Sequence, residues 1–215
     1  MNQNLKVLVD VSKDPKTTYL NASGSKLESL PPLFLRQFCE NIEKSTSITT
    51  LDLSSNDISG LEETELNALF NAVKKNKSIQ LLKLISTKLN MLSKANLTKL
   101  VKVFEENRSI AEVRLDYNEL DEHSAEIQKI YLFVKRNAIQ QELSALETPL
   151  KKSKITPGFF EKDQSNGHLT NGNGHVAKKA DTCQKIDELK EKLQEINGTL
   201  FQMNYVIGIP LIPKS

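Results

Sequence analysis

A gap-free 31-residue period constrains this chain more than any other feature. Ile48, Leu51, Leu53, Asn56 and Ile58 recur as Ile79, Leu82, Leu84, Thr87 and Leu89, and again as Ile110, Val113, Leu115, Asn118 and Leu120. One step back lies a degraded copy: Thr17, Leu20, Ala22, Ser25 and Leu27. The rows between these segments also align: Leu35 with Leu66 and Leu97, Phe38 with Leu69 and Leu100, Cys39 with Phe70 and Val101, Ile42 with Val73 and Phe104. Each unit has two local periods. Ile48 to Leu53 alternates near its end, as a short strand with one buried face does. Leu66, Leu69, Phe70 and Val73 stand at i, i+3, i+4 and i+7, one stripe of a helix. A strand–turn–helix unit of this size cannot close a core alone, so neighbours must stack.

The spacing Ile48-x-x-Leu51-x-Leu53-x-x-Asn56-x-Ile58 resembles that of leucine-rich repeats, and the long helical half resembles the ribonuclease-inhibitor subtype. The resemblance covers about 17–143 and implies an α/β fold: a short solenoid with a parallel concave sheet and convex helices. In such repeats the asparagine bonds backbone groups at the turn after the strand. Asn56 and Asn118 match, while Thr87 and Ser25 depart and are expected to bond less completely. Repeats then start near 17, 48, 79 and 110, with 1–16 as an N-terminal cap. The last copy frays. Its stripe of Ile127, Ile130, Tyr131 and Val134 comes one residue early, and Gln141 and Ser144 fall in slots expected to be apolar around Ile139, Leu143 and Leu146. A C-terminal cap is expected there.

Alternate strand residues would line the concave face: Tyr19, Thr50, Leu81 and Glu112; Asn21, Asp52, Lys83 and Arg114; Ser23, Ser54, Ile85 and Asp116. Leu81 and Ile85 are apolar where side chains should meet water. With Tyr19, Lys83 and Arg114 around them they form an apolar centre with a charged rim, the anatomy of a protein contact. Scattered exposed apolar residues are otherwise unremarkable. The acidic run Asp116, Glu119, Asp121 and Glu122 lacks the glycine and terminal glutamate of a calcium loop and reads more simply as a solvated turn.

Charge divides the chain. Through Leu143 there are 19 basic and 19 acidic residues; from Ser144 onward there are ten and eight, which supplies the whole formal +2. So small an excess argues against a dedicated nucleic-acid binder. Residues 144–180 hold Asn-Gly pairs at 166–167, 171–172 and 173–174 and no apolar periodicity, so a flexible linker is expected. Lys151-Lys152-Ser153-Lys154 resembles a short nuclear-import signal, though basic linkers are commoner. Asp181 with Gln184 resembles a capping box, opening an amphipathic helix over 181–204 with Ile186, Leu189, Leu193, Ile196, Leu200 and Met203 in a heptad seam. Asn197-Gly198 should interrupt it. The helix could dock on the repeats, self-associate or bind a target. Residues 205–215 read as an apolar unstructured tail, too short to span a membrane.

No catalytic, cofactor-binding or metal-ligating constellation emerges, so no cofactor is expected. Cys39 fills a buried helical row; Cys183 has no histidine or asparagine at a nucleophile-pair spacing. His168 and His175 flank Asn-Gly pairs, too few ligands for a metal, and His123 interrupts the row of Leu61 and Leu92. Met1 to Asp14 lacks a signal-peptide core, so a cytoplasmic chain is expected and the Asn-x-Ser/Thr matches at Asn21, Asn76, Asn96, Asn107 and Asn197 carry no glycosylation meaning. The apolar C-terminus with Ile212, behind Glu188, Glu191 and Glu195, loosely resembles the secretion signals of type IV effectors of intracellular bacteria, and lysine outnumbers arginine 25 to 4. Three readings follow. The first is a non-enzymatic interaction module binding an unknown protein on the concave face, as a secreted effector in a host cell if that resemblance holds. The second is a resident cytosolic scaffold or regulator of a GTPase or cytoskeletal protein. The third, the least supported, is a thiol enzyme using Cys183.

Overall fold

The computed structural model describes residues 3–121, 124–152 and 173–206. They divide into two compact units, Met1–Ala138 and Ile139–Ser215. The first unit is α/β. A helix α1 (Gln3–Lys13) precedes strands β1 (Tyr19–Asn21), β2 (Thr50–Asp52), β3 (Leu81–Lys83) and β4 (Glu112–Arg114). Between the strands lie α2 (Pro32–Lys44), α3 (Glu63–Lys75) and α4 (Lys94–Glu106), each entered through a short 3-10 turn. The strands form one parallel sheet in chain order. Tyr19 pairs with Thr50, Thr50 with Leu81 and Leu81 with Glu112, so the strand register equals the sequence period.

That period is set by burial. Leu20, Leu51 and Leu82 lie on the covered side of the sheet, and Leu53 and Leu84 follow them inward. Phe38, Ile42, Leu69, Val73, Leu100 and Phe104 meet that side from the helices. Each apolar row puts like residues one above another, and a one-residue slip would turn a whole strand's leucines to solvent.

Polar side chains bind one repeat to the next. Asn56 donates from Nδ2 to the Ala22, Leu53 and Ser54 carbonyls and accepts from the Leu27 N–H. Asn118 does the same for Leu84 and Leu115, accepting from the Thr87 and Leu89 N–H groups. Thr87 is shorter. Its hydroxyl donates to Leu84 of its own repeat and lies beside Asn118 Oδ1, but it does not reach the preceding repeat.

A second ladder stands at the helix C-termini, in the sequences Asn76-Lys-Ser78-Ile79 and Asn107-Arg-Ser109-Ile110. Asn107 donates to the Val73 and Asn76 carbonyls at 2.8 Å each and accepts from the Ser109 and Ile110 N–H groups at 2.8 and 3.0 Å. Asn76 donates likewise to Ile42 and Ser45, and Asn137 to Asn107 and Ile110. All three are buried. Beside the last rung, Arg136 donates to the Glu105 carbonyl at 3.1 Å and lies over the Phe133 ring. Burial, then the charge of Arg108, brings its pKa down to about 10, which leaves it cationic at neutral pH.

The first position of this ladder is Ser45. Its hydroxyl accepts from Ser47 and Ile48, but it has no amide to reach back toward α1. A polar cavity of about 210 Å³ lies there, lined by Ser12, Asp14, Asn41 and Ser45 among others.

The C-terminal side of the molecule corrects several expectations. The strand expected around Ile139, Leu143 and Leu146 is helical: α5 runs from Ala125 to Lys152, through the expected start of a linker at 144. In the earlier repeats a serine two residues after the asparagine helps close the turn into the strand. After Asn137 that position is Ile139, and the following residues are good helix formers, so nothing stops the helix. A second long helix, α6 (Asn173–Val206), starts before Asp181 and passes through Asn197-Gly198. Gly198 costs a helix about 1 kcal/mol, which the buried Ile186, Leu189, Ile196 and Leu200 on the same helix outweigh. Ion pairs Lys185–Glu142 and Lys190–Glu147 join α6 to the second half of α5. Ser153, Lys154, His168, Glu122, His123 and Ile212 lie outside the described residues.

Replacing Asn107 with Ala removes the amide's bonds to the Val73 and Asn76 carbonyls and to the Ser109 and Ile110 N–H groups, leaving the Asn76 carbonyl with only the Ser109 hydroxyl as a side-chain donor. Denaturant unfolding is expected to show a loss of about 2–4 kcal/mol. Ser45→Asn should act in the opposite sense, raising stability by about 0.5–1.5 kcal/mol as the missing rung forms.

Candidate partner-binding face

The open side of the sheet is built by the residues that alternate with the buried leucines. Three of them form a connected group across β1, β2 and β3. The Tyr19 hydroxyl donates to Asp52 Oδ2 at 2.9 Å, Lys83 Nζ lies 3.4 Å from the same oxygen, and Lys83 sits 5.1 Å from the Tyr19 ring centroid. Asp52 Oδ1 accepts from the Ser54 N–H at 3.1 Å. Burial pushes the Asp52 carboxyl up, but the hydrogen bonds from Ser54, Tyr19 and Lys83 together outweigh it and hold the group below the usual aspartate range. Asp52 is 7% exposed, whereas Tyr19 remains 47% exposed. The ring is thus a fixed platform, held at its hydroxyl and open on its flank.

Leu81 and Ile85 of the β3 segment are half-buried, as are Thr50 and Lys83. Asn21, Glu112, Arg114 and Asp116 are exposed. Arg114 donates through Nε and Nη2 to Glu112 Oε1 on its own strand, at 3.1 and 3.0 Å. The structure therefore sets the ten sequence-derived residues on or beside one sheet face. It joins Tyr19, Asp52 and Lys83 into one group and Glu112 with Arg114 into another. Asp52 and Lys83 are lateral neighbours one period apart, Tyr19 reaches Asp52 diagonally from beside Thr50, and Glu112 and Arg114 are i, i+2 neighbours on the same side of β4.

One residue at the edge of this face was not anticipated. Gly24, Ser55, Ser86 and Tyr117 occupy equivalent turns, all left-handed, with φ of 63°, 55°, 54° and 57°. Glycine adopts this conformation freely, and a side chain there costs about 1–2 kcal/mol. Tyr117 is the only bulky member of the row and is 84% exposed. Its alignment with Gly24 was the available signal.

Cys39 is buried in the helical core, and burial, followed by the charges of Glu40 and Glu65, raises its thiol to about 12, which fits an unreactive core position. Cys183 is partly exposed on α6 and free of disulfide. Among the described residues no group of acidic, histidine or cysteine side chains is placed to hold a metal, and no helix is long and apolar enough to cross a membrane.

No protein-family model and no curated protein matches the chain. Among solved structures, the actin-binding site 2 segment of leiomodin-1 is similar at 15% identity and a TM-score of 0.45, over 70% of this chain and 96% of that one. The tropomodulin C-terminal domain of Caenorhabditis elegans is similar at 13% identity and a TM-score of 0.43, over 67% and 99%. The description that stands is an α/β chain with a four-stranded parallel sheet in chain order and, between successive strands, a 3-10 turn and a helix.

Because the Asp52 pKa is depressed in the folded state, its contribution to stability is full above the ordinary aspartate pKa of about 3.9 and is lost as pH falls through the lower folded value. The variant Asp52→Asn should lose stability at neutral pH and show a shallower decline than the parent chain below about pH 4, measured by denaturant unfolding across that range.

Proposed function

We propose that this chain is a non-enzymatic protein-interaction module, a short solenoid of ribonuclease-inhibitor-like leucine-rich repeats whose sheet is the concave wall. Residues 1–16 cap its start, and the repeats begin near 17, 48, 79 and 110. The partner presses on Leu81 and Ile85, with Tyr19, Asn21, Thr50, Asp52, Lys83, Glu112, Arg114 and Asp116 around them. The observation that carries the reading is the state of the polar residues around the two apolar ones. Lys83 is tied to Asp52 and Arg114 to Glu112, so the face arrives with its charges in place and an accessible aromatic beside half-buried aliphatics. Preorganisation of this kind lowers the entropic cost of binding.

The resident scaffold or regulator is the form of this reading we favour, acting in the cytoplasm. No observation on the described residues speaks for the secreted-effector form: Glu188, Glu191 and Glu195 lie within the continuous helix α6. In this form the partner is a GTPase or a cytoskeletal protein, and actin, which the leiomodin-1 segment is named for binding, is one arm of the test.

The test is the double variant Leu81→Asp, Ile85→Asp in the full chain. Cosedimentation with filamentous actin and affinity capture with purified candidate partners should show binding by the parent chain and at least a tenfold loss in the variant, as expected for removal of central apolar anchors. An unchanged circular-dichroism spectrum would show that the variant is folded. Equal binding by parent and folded variant would refute the assignment of this face.

A further inference from the structure

Given the sheet-face reading above, we infer that the partner presents a cationic segment bearing apolar residues, which lies along β3 and ends against Asp116 and Tyr117. The inference deepens that reading by naming the chemistry of the ligand. Two cations occur among the face residues, and each has an anion within the face: Lys83 has Asp52, and Arg114 has Glu112. Asp116 is the charge left over. It is exposed and has no ion-pair partner among the described residues, while its main chain is fixed by the Ser86 N–H, which donates to its carbonyl at 3.0 Å. Asp116 lies one period beyond Ile85, so an unmatched carboxylate borders the apolar strip.

Tyr117 supplies the second element. Its position in the repeat accepts Gly or Ser without a bulky side chain, yet here an aromatic ring is held out into solvent by a left-handed turn. Tyr117 follows Asp116 in the chain and both are exposed, so a guanidinium or ammonium bound at this turn can gain from a ring's negative face and from a carboxylate. Glu119, exposed in the same turn, accepts from the Asn90 amide through Oε2 and has no ion-pair partner among the described residues, so it adds negative potential. An acidic segment meets the opposite situation, since both cations of the face are engaged and the net charge at this border is negative.

Selecting short peptides from an unbiased display library on the full chain tests the inference. Enriched sequences are expected to place Lys or Arg beside apolar residues. A synthetic peptide of the enriched type should bind about five- to tenfold more weakly to Asp116→Asn and to Tyr117→Ser, and more weakly at high salt. Tyr117→Ser restores a residue that the same turn already carries at 55 and 86, so its loss of binding would not reflect misfolding. Enrichment of acidic or neutral peptides, an absence of enrichment, or unchanged affinity in both variants would overturn the cationic assignment. The Leu81→Asp, Ile85→Asp variant separates the two claims. If it abolishes peptide binding while the Asp116 and Tyr117 variants do not, the sheet face stands and the cationic partner falls; if it leaves binding intact, the sheet-face reading falls.

Discussion

The architecture depends on amide side chains that carry hydrogen bonds from one repeat to the next. A parallel strand of three residues makes few ladder bonds, and a short helix exposes carbonyls at its C-terminus. In this chain Asn56 and Asn118 tie the strand ends, and Asn76, Asn107 and Asn137 tie the helix ends to the turns that follow. Because each amide offers both donors and an acceptor, one side chain satisfies groups in two repeats. Leaving such groups unpaired in a buried setting would cost more than the bonds themselves contribute. The leucine rows supply the driving force, and the asparagines fix the spacing at which that force can act.

From this spacing comes the open face of the sheet that we propose binds a partner. The strand register sets Asp52 beside Lys83 and brings Tyr19, beside Thr50, within diagonal reach of Asp52, although the three are far apart in sequence. The carboxylate of Asp52 is then shared between a phenol and an ammonium, and the aromatic platform is fixed before any partner arrives. Such a surface differs from a flexible loop in that little side-chain freedom remains to be lost on binding.

Much of this was legible in the amino-acid order. The period located the strands and helices of the repeats, and the alternation in Thr50-Leu51-Asp52 and Leu81-Leu82-Lys83 separated the covered side from the open one. What failed to be read was where the repeats stop. Asn137 and the stripe before it look like a further repeat, but the turn serine is missing after it and the residues that follow are good helix formers, so the helix runs on through Lys152. Asn197-Gly198 was overweighted for the opposite reason: a local penalty of about 1 kcal/mol is small beside the burial of the apolar side chains on either side of it. Asn76 and Asn107 were visible as Asn-x-Ser, a match read as without glycosylation meaning, and their structural role was hidden because the carbonyls they satisfy lie largely in the preceding repeat. Tyr117 was hidden because a sequence does not show backbone handedness, although its alignment with Gly24 pointed there.

The central claim is that these side-chain amides couple the repeats into one cooperative stack that holds the face in place. Residue-resolved hydrogen exchange tests it directly, through the N–H groups of Leu27, Ile79, Leu89 and Ile110, each of which donates to an asparagine side chain. The account predicts that all four exchange with the slowest class and share one opening free energy. Exchange of these amides at rates typical of exposed turns, or in separate classes repeat by repeat, would contradict it.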